Sequence, residues 1–186
     1  MNFLQPARRI SVISRHIGLP NFREVQRVAT DFPVRLERIP ESAFDDFVET
    51  ILPVYIEERA VADRVSKAAA EQSARQQHAE ILQAGYHTPG HHFTRIIDAV
   101  TNLSVGDLWF RLDSASGEVY VYHLQVAPEQ CRKGYASAAL NAVAHLARSQ
   151  GCARIALDVF AGNTAAQSLH RKLGFSIVGL HMNKPL

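Results

Sequence analysis

The residues best suited to hold an anion lie in the segment VAPEQCRKGYASAAL, 126–140. A strand over 119–126 that delivers a turn into a helix at Gly134 aims free backbone N–H groups at one spot, where the helix dipole adds partial positive charge. The chemistry is phosphate or pyrophosphate binding. Gly134 can adopt φ > 0 or let an anion approach the backbone closely. Tyr135 starts the first helical turn, and the small Ala136, Ser137 and Ala138 leave room around it. Arg132 and Lys133 add charge beside it. Many helices begin after a basic turn with glycine, so this loop is unspecific on its own.

Other chemically able residues are weaker signals. His91 and His92 are adjacent on a strand and point to opposite faces, which argues against a metal pair. Trp109 and Phe110 have the character of core and cleft wall, with Trp109 the one expected on the substrate side. Asn163, at the start of a helix, is placed to cap it. Cys131 and Cys152 stand far apart with no CxxC or His/Cys cluster, so neither a zinc site nor a disulfide framework follows, and a reducing cytoplasm is the simplest compartment.

The elements that must position these residues follow from periodicity. Residues 34–39 (VRLERI) alternate as a half-buried strand. Apolar residues from Phe44 to Ile56 recur at spacings of three and four, predicting a helix over 42–63 that Pro53 kinks or splits. A second helix runs from Ser66, its N-cap, to Leu82 and ends at Gly85. HHFTRIID, SVGDLWFRLD and VYVYHLQV then read as an antiparallel meander, followed by a helix over 134–150, a strand over 154–160, a helix over 164–173 and a closing strand from Ser176 to about Met182. The fold class is α/β in its mixed α+β form, with no internal repeat.

The second half of LDVFAGNTAAQSLHRKLGF makes the loop specific. Together the two segments resemble the GNAT superfamily of acetyltransferases, whose motifs are Q/R-x-x-G-x-G/A and N-x-x-A-x-x-L-Y-x-K-x-G-F. Gly134 and Ala136 match the first; Asn163, Ala166, Leu169, Lys172, Gly174 and Phe175 match the second. The resemblance is strongest over 119–182 and extends more loosely back to Val34. TPGHHF, VGDLWF and the closing MNKPL also look like a bacterial branch of that superfamily. It implies a central mixed sheet with helices on both faces and strands splayed at a CoA cleft, over a domain of 31–186 preceded by a basic extension of 1–30.

What the resemblance implies chemically is direct attack of a primary amine, on a small molecule or peptide, upon the thioester of acetyl-CoA in a ternary complex. Leu124 and Val126 fall where the family's backbone groups hold pantetheine and polarise the thioester carbonyl, and Asn163 where it reaches the pantetheine arm. His123 is the candidate base, although alternation puts it with Gln125 on the face opposite Leu124 and Val126. Glu57 and Glu58 fall where the acceptor site is often built. Two positions depart from the pattern: Cys131 replaces Gln or Arg, and His170 replaces the tyrosine that protonates the departing thiolate. A thiol has a pKa of about 8.5, tyrosine about 10 and histidine about 6.5, so either His170 serves as acid with a raised pKa or a water takes that role. A catalytically degenerate CoA-binding or regulatory module, and an unrelated nucleotide-binding module, remain alternatives; the absence of GxxxxGK[ST] counts against the latter.

Composition narrows the partners. A chain of 186 residues, 47% hydrophobic, is about one domain. Arg8, Arg9, Arg15, Arg23 and Arg27 face only Glu24 in the first thirty residues, yet the whole chain carries a formal charge of only +2. Without a long basic run interleaved with aromatics, nucleic acid is not an expected partner. Nor is a membrane, since no apolar run approaches about 18 to 20 residues and no secretory signal opens the chain. The expected ligands are acetyl-CoA and an amine, with no metal; a homodimer is the assembly compatible with them.

Overall fold

Val34 and Leu36 are buried and Glu37 is exposed, so the alternation at 34–39 produces the first strand, β1 (Val34–Arg38). The computed structural model describes residues 33–184, and the expected basic extension lies outside them. Helix α1 (Phe44–Asp63) buries Phe47, Ile51, Leu52 and Ile56 and runs unbroken through Pro53 rather than splitting there. Pro53 is exposed, so the carbonyl it leaves unpaired can bond to water while the apolar face keeps both halves anchored. Helix α2 (Lys67–Ile81) is capped by Ser66, whose Oγ accepts from the Ala69 N–H at 3.2 Å. It stops at Ile81, and Gly85 (φ +54°) begins a separate short turn instead of the expected helix C-terminus. Leu52 and Ile56 of α1 pack on Ala70 and Ala74 of α2.

The meander is β2 (His91–Asp98), β3 (Ser104–Asp113) and β4 (Glu118–Val126), followed by helix α3 (Tyr135–Ser149), strand β5 (Arg154–Leu157) and helix α4 (Thr164–Lys172). The sheet order is β1-β2-β3-β4-β5, antiparallel except for the last pair, which is parallel. One face, with Leu36, Ile96, Leu108, Phe110, Val119 and Val121, packs on the Ala139–Val143–Leu146 stripe of α3. The other, with Ile39, Phe93 and Trp109, packs on Phe47 and Ile51 of α1 and on Ile81 and Leu82. Helices on both faces of a mixed sheet is the arrangement expected from the sequence.

Two strand expectations are corrected. The strand over 154–160 ends at Leu157, and the segment over 176–182 forms no strand. Ile177, Val178, Leu180 and Met182 are exposed, and Asn183 Nδ2 instead donates to the Ala62 carbonyl at 3.2 Å. Propensity is expressed only on a partnered, half-buried surface, which this segment lacks.

The start of α3 is tied to the β2–β3 turn. The Asp98 carboxylate accepts from the N–H groups of Val100 (2.9 Å) and Thr101 (2.7 Å) and from the Tyr135 hydroxyl. The Tyr135 hydroxyl above all, then the Thr101 N–H, holds the Asp98 pKa down to about 2. That value lies below the roughly 3.9 of an unfolded aspartate, so its stabilisation is complete above about pH 4 and is lost as pH falls towards about 2. Asp98→Ala is therefore expected to lower Tm by several degrees at pH 7, with the gap to the parent protein closing between pH 4 and pH 2 in thermal melts.

Candidate active site

Pairing between β3 and β4 runs Leu108↔Leu124 and Trp109↔His123, then Phe110↔Val121, so Tyr122 is an extra residue and β4 bulges there. The parallel pairing of β4 with β5 covers only Glu118–Val121 with Arg154–Leu157. The ladder therefore stops at the bulge, and from Tyr122 to Val126 the edge of β4 away from β3 has no partner strand among the described residues. A bulge bends its strand and locally increases twist; here it opens a cleft between the C-terminal ends of two parallel strands.

The bulge also changes which side chains share a face. Leu124 packs on the α3 side. Tyr122 and His123 both turn to the α1 side, where Tyr122 stacks on Trp109 at 4.5 Å between centroids and His123 meets the Phe47 ring at 6.5 Å. Alternation correctly separates His123 from Leu124 but fails between Tyr122 and His123. His123 Nε2 is sealed without a hydrogen-bond partner among the described residues. Burial, and secondarily the proximity of His78, lowers its pKa to about 4, so it is a neutral imidazole at physiological pH.

Beyond β4 the chain makes the expected turn into α3. Arg132 (φ +61°) and Gly134 (φ +89°) both occupy the left-handed region, and Gly134 is the N-cap with no side-chain cap bond. Among the described residues no protein acceptor takes the N–H groups of Arg132, Lys133, Gly134, Tyr135, Ala136 or Ser137. A Cβ on Gly134 would meet nothing within 4 Å, so the space beside the turn is open. Cys131, at the position where Gln or Arg was the pattern, turns its thiol towards the carbonyls of Ala127 (3.5 Å) and Val126 (3.7 Å). Lys133 Nζ donates to Gln130 Oε1 at 2.8 Å, which keeps its charge over the loop. Tyr135 is committed to Asp98 through its hydroxyl, so only its backbone N–H faces the turn.

Across the cleft, Asn163 caps α4 by accepting from the Ala166 N–H at 3.1 Å, and its Nδ2 donates to Glu58 Oε1 at 2.9 Å. Helix α1 thus passes over the gap: Phe47 touches His123, Tyr55 lies 5.9 Å from the Phe160 ring, and Glu58 reaches α4. Glu57, its neighbour, points outward to Lys67 at 3.1 Å and is remote from the cleft. Trp109 is buried, at 2% exposure, so it backs the cleft from behind Tyr122 and cannot itself touch a substrate. His170 packs edge-on against Phe175 with Nδ1 sealed, and burial lowers its pKa. The raised pKa that would make it a cationic acid is therefore absent. His91 and His92 do lie on opposite faces, stacked on Tyr122 and Phe110 respectively.

Sequence reasoning missed Tyr120 and Asp158, which the fold brings together. The Tyr120 hydroxyl donates to Asp158 Oδ2 at 2.7 Å where β5 ends, and burial, then Asp158, raises its pKa. The alternation of Tyr120 with buried Val119 and Val121 was the available signal. Asp158, just beyond β5, gave none.

Comparison with known proteins decides the family. The profile of the Acetyltransferase (GNAT) family matches residues 61–175. The chain belongs to this family. It is similar to the "Uncharacterized N-acetyltransferase YycN" of Bacillus subtilis (strain 168), 31% identical over 134 residues, which is 71% of this chain and 85% of that protein. YdgE of the same strain, also named an uncharacterized N-acetyltransferase, is 26% identical over 153 residues, 81% of this chain and 97% of that one. The crystal structure of YycN superposes with a TM-score of 0.75 at 28% identity, covering 82% of this chain and 98% of the other. In this GNAT fold the Asn163 amide both caps α4 and joins it to α1. Asn163→Ala is expected to cost about 1 kcal/mol, read as a lower urea midpoint with an unchanged m value.

Proposed function

We propose that this acetyltransferase moves an acetyl group from acetyl-CoA to a primary amine of a small molecule or peptide, by direct attack within a ternary complex. What supports it is the continuity of two features: the free N–H groups opening α3 lead directly back to the unpartnered edge of β4. The first fits a pyrophosphate, which a helix N-terminus flanked by Arg132 and Lys133 attracts; the second fits an extended amide-bearing arm, which adds to a strand edge. Acetyl-CoA supplies the acyl group as a thioester. The residues that hold it are Gly134, Tyr135, Ala136 and Ser137 through their N–H groups, Arg132 and Lys133 through charge, and Leu124 and Val126 through the backbone of β4. Asn163, on the opposite wall, holds α4 against the arm.

The amine enters from the α1 side. Glu58 and Asp158 carry negative charge there and favour an ammonium, while Tyr55, Tyr122 and Phe160 offer aromatic faces to it. His123 orients the attacking nitrogen. With a pKa near 4 it is a weak base, so the ammonium proton passes on to water, and His123 accepts a hydrogen bond from the amine through Nδ1, since Nε2 is sealed. A backbone N–H of the β4 bulge donates to the developing oxyanion. The departing thiolate takes a proton from water, which in turn receives the proton that the attacking nitrogen sheds as the amide forms, because burial keeps His170 neutral. The alternative of a CoA-binding module without turnover is favoured only by Cys131 and His170 at the two altered positions.

Acetyl-CoA is expected to bind in calorimetry at micromolar concentration, and a screen of amines that reads free CoA is expected to show turnover. No acetyl-CoA binding at tens of micromolar ends the proposal; binding without turnover leaves the module. Gly134→Val, which puts a β-branched residue at φ +89° and its bulk in the open approach, is expected to weaken acetyl-CoA binding on the order of tenfold or more. Because the His123 pKa is about 4 rather than 6.5, kcat/KM should rise with pH through ionisation of the amine alone. An inflection near pH 6.5 that disappears in His123→Ala would contradict this.

A further inference from the structure

The β4 bulge is held by a pile of aromatic rings that begins on β2. His91 reaches this pile because its turn is locked: Gly90 (φ +78°) approaches β3 so closely that a Cβ would lie 2.6 Å from the Leu112 carbonyl, and Leu112 N–H bonds to the Gly90 carbonyl at 2.9 Å. His91 is buried, and its Nδ1 accepts from Trp109 Nε1 at 2.9 Å. Because indole nitrogen only donates, the neutral imidazole must carry its own proton on Nε2. Tyr122 lies against both partners. Its ring is 4.5 Å from Trp109 at 17° and 5.3 Å from His91 at 26°. Phe93, 5.6 Å from Trp109, and His78, 5.1 Å from it, close the other sides.

Tyr122 is also the extra residue of the bulge. A strand with one residue too many can place the excess at any of several neighbouring positions, and each choice turns different side chains to each face. Only one of them puts Tyr122 flat against an indole whose own orientation is fixed by a hydrogen bond. We propose that His91, Trp109 and Tyr122 are positioning residues that fix the backbone of β4 at the bulge, and so set where its N–H groups meet the thioester carbonyl. This rests on the acetyl-transfer reading above. Burial first, then Arg111 and His92, lowers the His91 pKa to about 3, so the acceptor for Trp109 persists throughout the neutral range. The Thr88–Gly90 turn and the tryptophan of β3 thus act at a distance from any ligand, through the ring of Tyr122.

Trp109→Phe keeps a ring in the pile while deleting the indole N–H and part of the ring area; His91→Phe keeps a ring while deleting both imidazole nitrogens, the acceptor among them. In each, kcat with acetyl-CoA and the fastest amine of the screen is expected to fall about tenfold or more, while acetyl-CoA affinity by calorimetry stays within about twofold. The double variant is expected to be no slower than the worse single one, because both remove the same bond. Independently of turnover, amide hydrogen exchange at Tyr122, His123 and Leu124 is expected to quicken at least about tenfold in either variant, with the amides of α3 unchanged. Equal exchange at the bulge with kcat unaltered overturns the proposal. Should the parent protein show no turnover, the exchange experiment still decides the positioning role, and Tyr122→Leu provides the same readout if a Trp109 variant fails to fold.

Discussion

One residue more in β4 than in β3, opposite Trp109, determines the geometry of everything around the cleft. The ladder to β5 ends at Val121, so beyond it β4 pairs only with β3 among the described residues. A strand edge open to solvent is normally a liability that proteins cover or blunt. Here α3 packs against one face of the sheet and α1 against the other, where Glu58 of α1 is joined to Asn163 at the start of α4. The bulge gains this opening at the loss of β4–β5 pairs, and the loss is tolerable because Val119 and Val121, below it, remain fully packed on α3.

The α1 side of the sheet is lined with imidazoles. His78, His91 and His123 all lie on it, and burial is the first cause of the lowered pKa in each. A histidine held neutral by desolvation contributes ring area and one donor or acceptor without a charge. These imidazoles are therefore uncharged at neutral pH, while the carboxylates of Glu58 and Asp158 sit at the margin against Asn163 and Tyr120. Under the proposed reading these carboxylates favour an ammonium, while the Arg111 guanidinium, whose charge reaches His91 and Tyr122, opposes it.

The readable parts of the sequence were those fixed by local chemistry. Gly134 and Asn163 announced themselves because a left-handed N-cap and an amide cap each need a particular residue at a particular step. Ser66 did the same for α2, and period-two runs gave the meander. Partners distant in the chain were not readable. Asp98 and Tyr135 are 37 positions apart, and nothing in either neighbourhood specifies the other. Glu57 and Glu58 looked equivalent because they differ by only about 100° around a helix; packing of α1 on α4 chooses Glu58. The bulge was invisible for a related reason: alternation describes one strand, whereas a bulge is a mismatch between two, and Tyr122 therefore shares a face with His123 against the simple rule. The segment over 176–182 erred the other way, having strand composition without a partner.

At Cys131, where the family pattern has Gln or Arg, the turn into α3 presents backbone donors rather than a long polar side chain. Arg132 is held at φ +61°, a conformation that costs an L-residue with a Cβ on the order of 1–3 kcal/mol. Among the described residues no acceptor takes the N–H groups from Arg132 to Ser137. The left-handed residues at 132 and 134 turn successive N–H groups towards one side, and a concave run of such donors is what an oxyanion satisfies. Under the proposed reading, an anion satisfies the free donors of this turn, and because backbone donors do not move with rotamers such a cradle needs little reorganisation to bind it.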